Sequence, residues 1–360
     1  MGAQSHRTDS SIATQVLEGL ASAQRESMPD RTVVVSKTPF RVTFAGGGTD
    51  LPEYFRKFGP GACVAGSINK GIYIMVVENF VSSEIRVSYR ITEDARRSID
   101  EIAHGSIREA MRLLRIPSGV QVITATQMPS RGTGMGSSSS CAVGVLNALH
   151  TWRGDHVGPR QLAREAVRIE REILKELGGI QDQYTAAYGG LNLIKVERDG
   201  TVSVQSLALD HDGLESLNRY VMLFFTGVER SSSAIHASQT SSVEDHLDEY
   251  RRMRDLATET ATAIERLDFG ELGLLMDENW ELKRKLSDGV TNPTIDQWLS
   301  LAKQNGALGG KLMGAGGGGF LFFLVPPERQ PDVRRALEGI GLQQKPVQLD
   351  IDGSSIVFEQ

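Results

Sequence analysis

Three stretches of the chain combine residue types suited to holding phosphate and moving it. The first is Pro129-Ser130-Arg131-Gly132-Thr133-Gly134-Met135-Gly136-Ser137-Ser138-Ser139-Ser140. Glycines at alternate positions let backbone N–H groups approach an anion, and a helix start adds its own unsatisfied N–H groups and positive dipole end. Hydroxyls at the same place can ligate Mg²⁺ or hold phosphate oxygens. A flexible linker would not run straight into an amphipathic helix, and a serine cap needs one serine rather than four. No lysine follows the glycines, so this is not a Walker loop. The second stretch is Gly314-Ala315-Gly316-Gly317-Gly318-Gly319. It formally fits G-x-G-x-x-G, but it runs into the apolar segment Phe320–Val325 instead of a helix, which excludes a dinucleotide site. So many glycines imply that either a second backbone or a ligand comes very close. The third is the pair Glu170 and Asp182. Asp182 sits in Gly179-Ile180-Gln181-Asp182-Gln183-Tyr184, among apolar and amide neighbours where a lone charge is costly. One carboxylate for Mg²⁺ and another to orient a hydroxyl and take its proton is what phosphoryl transfer needs. Protein kinases are excluded, since no H-R-D-L-x-x-x-N loop is present.

The elements that must position these residues alternate in type. Strand-like patterns occur at 32–35, 42–44, 71–77, 85–89, 120–124, 191–196 and 221–225. After the serine run Cys141, Val145, Leu146 and Leu149 share a helical face. From Arg160, the apolar residues Leu162, Ala166, Ile169, Ile173 and Leu177 repeat at helical spacing. Residues 245–306 read as three helices, broken at Asp268-Phe269-Gly270 and Asp288-Gly289. A strand at 320–325, a helix at 331–337 and strands at 347–351 and 355–358 follow. Mixed strands and helices indicate an α+β fold rather than a doubly wound sheet.

With 360 residues the chain is long enough for two domains. Residues 1–30 read as an extension, either mobile or a weak helix docked on the surface. Residues 31–210 and 211–360 are the expected domains, with the boundary falling within 205–218. A net charge of −6 argues against nucleic acid as a partner. Two widely spaced cysteines, Cys63 and Cys141, make neither a disulfide framework nor a zinc site, and suit a reducing cytoplasm. No apolar run approaches the roughly 20 residues needed to span a bilayer, and no secretory leader is visible.

Taken together these motifs resemble the GHMP kinases, the family of galactokinase, homoserine kinase and mevalonate kinase. The serine-rich stretch is similar to their P-x-x-x-G-L-G-S-S-A-A phosphate loop, with Met135 in place of Leu. The glycine cluster resembles their C-terminal motif, and Ser36-Lys37-Thr38-Pro39-Phe40-Arg41-Val42-Thr43-Phe44-Ala45-Gly46-Gly47-Gly48-Thr49-Asp50-Leu51 their first. All three occur in the family's order. Ala45–Asp50, Gly179–Tyr184 and Phe225-Thr226-Gly227-Val228-Glu229-Arg230 resemble in particular the D-glycero-D-manno-heptose 7-phosphate kinases. Gly47 and Gly48 stand where galactokinases have Glu and His, which speaks against galactose.

The resemblance implies an N-terminal α+β domain with a left-handed βαβ crossover, a ferredoxin-like C-terminal domain, and a cleft where ATP, Mg²⁺ and sugar meet. It implies that Asp182 is the catalytic acid–base residue and Arg41 its cationic partner. Ser138 and Glu170 would ligate Mg²⁺. Gly132, Gly134, Met135, Gly136, Ser137, Ser138 and Ser139 would hold the nucleotide. Asp50, Gly47, Gly48 and Thr49 would face the sugar. The substrate's own phosphate needs cations, for which Arg230, Lys311, Lys283 and Arg284 are candidates. The partners implied are a small sugar phosphate and ATP, with no nucleic acid or membrane, in a monomer or homodimer. Another sugar 1-kinase, acting on a different heptose phosphate, fucose or galactose, is the rival of the same class. A sugar and ATP sensor without turnover is the rival of another class, and the presence of the aspartate and metal ligands speaks against it.

Overall fold

The computed structural model describes residues 32–128, 132–228 and 233–360. The expected N-terminal extension and Arg230 lie outside these residues. In the first half the chain forms β1 (Val33–Ala45), α1 (Pro52–Phe55), β2 (Gly61–Glu78), β3 (Ile85–Ser88), β4 (Thr92–Arg96), α2 (Gly105–Leu113), β5 (Val120–Thr126), α3 (Ser137–Arg153), α4 (Pro159–Val167), α5 (Gln181–Tyr188), β6 (Leu191–Val196) and β7 (Val202–Ser206). It continues with α6 (His211–Asn218), β8 (Val221–Phe225), α7 (Ser233–Ser241), α8 (Leu247–Glu265), α9 (Phe269–Lys283), α10 (Pro293–Gln304), β9 (Gly309–Leu312), β10 (Phe320–Leu324), α11 (Gln330–Glu338), β11 (Gln343–Lys345) and β12 (Ser355–Glu359).

The first sheet runs β12-β1-β2-β5-β3-β4, with β6 paired to β2 and β7 to β6. Its spine is the pair β1 and β2. The strands expected at 32–35 and 42–44 are one strand of 13 residues, and the strand expected at 71–77 is the second half of one of 18. The register shifts between Pro39 and Arg41 and again between Thr43 and Ala45. Pro39 has no N–H to give the ladder, which is why the pairing breaks there and why the pattern reads as two strands. Beyond the break β2 changes partner: Gly61–Gly66 pair with β6, Ile72–Glu78 with β5. The β3–β5 pair is parallel and is joined through β4 and α2.

The second sheet has the order β11-β8-β10-β9, antiparallel throughout, which is the ferredoxin-like arrangement. Its two central strands, β8 and β10, read as unbroken apolar runs because both faces are buried. Met222, Phe224, Leu321 and Phe323 point to one core, shared with Ile295, Leu299, Val333 and Leu337 of α10 and α11. Leu223, Phe320, Phe322 and Leu324 point to the other, continuous with the core of the first sheet. Phe322 meets Phe44 of β1 edge-on at 5.3 Å. The fold is therefore a two-domain α+β architecture with one shared core at the seam. The last strand, β12, lies past residue 210 in sequence but pairs with β1.

Two expected elements differ. No strand forms over 347–351; the only pairing there is a single bridge from Leu349 to Ile68. Pro346 removes a donor and ends β11 just before it. The helix expected from 160 to 177 is regular only as far as Val167. Residues Arg168–Ile173 form a wider π turn, closed by Leu174 N donating to Ile169 O at 2.9 Å.

Candidate active site

The serine-rich loop enters α3 through Gly136, whose φ of +74° no serine would adopt easily. The helix cap is thus this glycine, and the serines that follow are free to use their side chains. Arg41, on β1 just after the register shift, reaches under the loop. Its Nε and Nη2 donate to the two carboxylate oxygens of Asp182, both at 2.8 Å, and its Nη1 donates to Gly134 O. Its backbone N–H donates to Met135 O at 3.1 Å. A methyl at Gly136 would lie 3.3 Å from both Arg41 Cγ and Asp182 Oδ2. The carboxylate therefore sits at the mouth of α3, held in a fork and still partly exposed.

Glu170 lies within the π turn and is 1% exposed. Ser138 Oγ and Ser139 Oγ each donate to one of its oxygens at 2.8 Å, and Gln183 Nε2 donates as well. Among the described residues no three His, Cys, Asp or Glu side chains come together to hold a metal. One carboxylate and an adjacent hydroxyl at a phosphate loop suit Mg²⁺, which keeps waters and takes nucleotide oxygens for the rest.

The glycine cluster answers the question its composition poses: it packs against another backbone. A Cβ at Gly314 would lie 2.4 Å from Gly134 Cα, and one at Gly319 would lie 2.5 Å from Thr133 O. The two glycine loops, one from each domain, lie flush.

Beside this seam opens a cleft. Arg41, Asp182, Asp50, Gly47, Gly48 and Lys311 line it. Asp50 is 2% exposed and accepts from Gly48 N at 3.0 Å and Gln181 N at 2.9 Å. Gly179 makes room for it, since a Cβ there would lie 1.8 Å from Asp50 Oδ2. Of the candidate cations, Lys283 and Lys311 reach the cleft. Lys283 Nζ donates to Gly314 O at 2.7 Å, and Lys311 Nζ to Phe44 O at 3.3 Å. Burial, reinforced by the charge of Arg41, draws Lys283 down to about 8. Lys311 is pushed well below the usual lysine range by burial, then by Lys283 and Arg41.

Two expected placements are corrected. Thr49 does not line the cleft: it is fully buried, and its hydroxyl donates to Gly46 O and Ala62 O and accepts from Ala62 N. It ties the glycine turn to β2. Arg284 is likewise elsewhere, paired with Asp296 at 2.6 Å. Met135 is buried, so only its backbone is available to a nucleotide. Gly132 and Ser137 remain on the loop beside it.

The sequence reading missed Arg171 and His236, which also line the cleft. Arg171 follows Glu170 directly, and in a regular helix neighbours diverge too far to serve one site. A lone histidine on a short helix gives no periodic signal.

The comparisons with known proteins come from both halves of the chain. Residues 101–190 match the family model "GHMP kinases N terminal domain", and residues 260–341 match "GHMP kinases C terminal". The D-glycero-alpha-D-manno-heptose 7-phosphate kinase of Campylobacter jejuni is 30% identical over 316 residues, covering 84% of this chain and 92% of that protein. The L-fucokinase/L-fucose-1-P guanylyltransferase of Bacteroides fragilis is 25% identical, and the match covers 89% of this chain but 38% of that longer protein. Among solved structures, a D-glycero-D-manno-heptose 1-phosphate kinase from Bacteroides thetaiotaomicron superposes with a TM-score of 0.75 at 26% identity. That match covers 90% of this chain and 99% of the other.

Proposed function

The chain belongs to the GHMP kinase family, and from that premise we propose that it is an ATP-dependent sugar kinase acting on the C1 hydroxyl of D-glycero-D-manno-heptose 7-phosphate. The observation that carries the kinase reading is Asp182, clamped by Arg41 at the mouth of α3 where the glycine loop would hold the nucleotide's phosphates. The heptose assignment is supported by the 30% identity to a heptose 7-phosphate kinase along nearly its whole length. Buried cations in the cleft support a phosphorylated sugar.

In this reading the sugar's C1 oxygen forms a bond to the γ-phosphorus of ATP while the bond from that phosphorus to the β–γ bridging oxygen breaks, and ADP leaves. The hydroxyl proton passes to Asp182. Phosphoryl transfer states are loose, so Asp182 acts mainly by orienting the hydroxyl and receiving the proton late. Arg41 fixes that carboxylate and places positive charge beside the moving group. The N-terminus of α3 and the N–H groups of Gly134, Gly136 and Ser137 face the phosphates. Asp50 accepts from a sugar hydroxyl, held in place by Gln181 and Gly48. Mg²⁺, held by Glu170 and Ser138, would neutralise charge on the β- and γ-phosphates. The division into domains at 210/211, with the cleft between them, belongs to the same proposal.

Incubation with ATP, Mg²⁺ and the heptose 7-phosphate, followed by phosphorus NMR, tests the assignment. The product should show two phosphomonoester signals, one coupled to the anomeric proton. Transfer to a different hydroxyl, or equal rates with unphosphorylated heptose, would remove the heptose-phosphate assignment and leave the kinase reading standing.

A further inference from the structure

Two side chains of the cleft have no task in the mechanism above. Arg171 leaves the π turn one residue after Glu170. Its Nε donates to Gly179 O at 3.0 Å and its Nη1 to Glu176 O at 3.2 Å. Among the described residues no carboxylate oxygen forms an ion pair with it. His236 reaches in from α7, and its Nδ1 is buried without a hydrogen-bond partner. Between them lies Gly178, at φ +139°. A Cβ at Gly178 would be 3.2 Å from Arg171 Nη2 and 3.7 Å from His236 Nε2. Gly178 thus lies in close contact with the guanidinium and near the imidazole, and all three border the cleft. Lys283 adds a third group: of the neighbouring charges, its own acts most strongly on His236.

Cations that no carboxylate pairs directly, and a ring nitrogen buried without a partner, are costly in the free protein and favourable once an anion arrives. Two anionic groups could enter the cleft. The nucleotide's phosphates belong at the mouth of α3, where Arg41 is already bound to Asp182 and Gly134 O. Gly178 is one residue from the contact between Gly179 and Asp50, so the wall that Arg171 and His236 form adjoins the sugar end instead. A guanidinium matches phosphate geometry with two parallel N–H groups, and an imidazole N–H supplies a third.

We infer that Arg171, His236 and Lys283 form the subsite that takes the sugar's own phosphomonoester. This rests on the sugar-phosphate reading above; it keeps Lys283 from the cations the sequence offered and adds Arg171 and His236, which no motif suggested. His236 is drawn down to about 4, first by burial and then by Lys283 and Arg171, with Asp182 and Asp50 opposing. It is thus neutral at pH 7 in the free enzyme and meets the phosphate as an N–H donor. A bound dianion would raise its pKa by offsetting the two cations.

The test compares kcat/KM for the heptose 7-phosphate and for unphosphorylated heptose in the wild type, Arg171→Gln and His236→Phe. The preference for the phosphorylated sugar should fall by about 10²-fold in Arg171→Gln and about 10-fold in His236→Phe, mainly through KM, as expected when charge-assisted and neutral donors are lost. Nitrogen-15 NMR of the imidazole should show the His236 pKa rising when the phosphorylated sugar is added, and not when the unphosphorylated sugar is. That readout needs no variant, so it decides the matter should Arg171→Gln fail to fold. If both substrates lose equally and the ring does not respond, these residues only brace the 178–182 turn and the inference falls, while the sugar-phosphate reading stands. A wild type with no preference for the phosphorylated sugar would overturn both.

Discussion

The cleft has two contrasting sides. Around Asp182 and Glu170 every charge has its partner: Arg41 clamps one carboxylate, and two serines and a glutamine hold the other. Around Gly178 and Gly314, by contrast, Arg171, Lys283 and Lys311 donate only to backbone carbonyls among the described residues. The first side is finished before any substrate arrives, as electrostatic preorganisation requires. The second is left incomplete, and its completion depends on what binds. In the proposed reading, chemistry belongs to the satisfied side and selection to the unsatisfied one.

The hardest blow to this contrast should come from Asp182→Asn, which keeps the shape and removes the proton acceptor. We expect kcat to fall by at least about 10²-fold with little change in ATP binding; a variant retaining most of its turnover would take Asp182 out of the chemistry. Next, Glu170→Gln and Ser138→Ala should each raise the Mg²⁺ concentration for half-maximal rate, by about 10-fold, the low end for altered metal-site shells. An unchanged metal titration in both would move the metal site elsewhere.

Lys283→Met probes the other side. It should raise KM for the sugar phosphate by about 10-fold, the loss of one charged hydrogen bond, and yet stabilise the empty protein, because an uncompensated buried charge is removed. The pH dependence follows from its position near 8. Below that value the folded protein carries the charge and its full penalty. Between about 8 and the unfolded value of roughly 10.4 the unfolded chain binds more protons, so stability should rise with pH, and the substitution should flatten that rise. Calorimetry across pH 7 to 10 checks both signs. A smaller effect is expected at Thr49→Val: a loss of about 1–2 kcal/mol of stability from the turn its hydroxyl ties, with the preference for phosphorylated sugar unaltered. Smallest is Arg284→Ala, whose partly exposed ion pair with Asp296 should contribute about 1 kcal/mol at most and nothing to kinetics.

The satisfied side was legible in the sequence because its residues sit in or beside motifs. Glycines at alternate positions before a helix, and an acid among apolar neighbours, have few physical explanations. The two central strands of the second sheet were legible too, since Val221–Phe225 and Phe320–Leu324 read as unbroken apolar runs, whereas its edge strands Gly309–Leu312 and Gln343–Lys345 carry no such signal. What the sequence concealed depends on contacts between distant segments. Thr49 looked like part of a sugar loop, and only the approach of Ala62 shows that its hydroxyl serves the backbone. Nothing local marks Arg171 and His236 either, because they meet only across Gly178. The break of β1 at Pro39 was visible, but its meaning as a bend within one strand was not.

The π turn at Arg168–Ile173 has a consequence for how this protein can vary. It reads as an α-helix carrying one surplus residue, and deleting that residue would be the simplest way to regularise the helix. Yet each residue of a helix turns the chain by roughly 100°. A single deletion there would swing everything after it about the helix axis, carrying Gly178, Gly179 and Asp182 away from their partners. Surface loops elsewhere tolerate changes of length readily. In this turn, length itself sets direction, so sequences that keep the two-sided cleft should differ here by substitution and not by insertion or deletion.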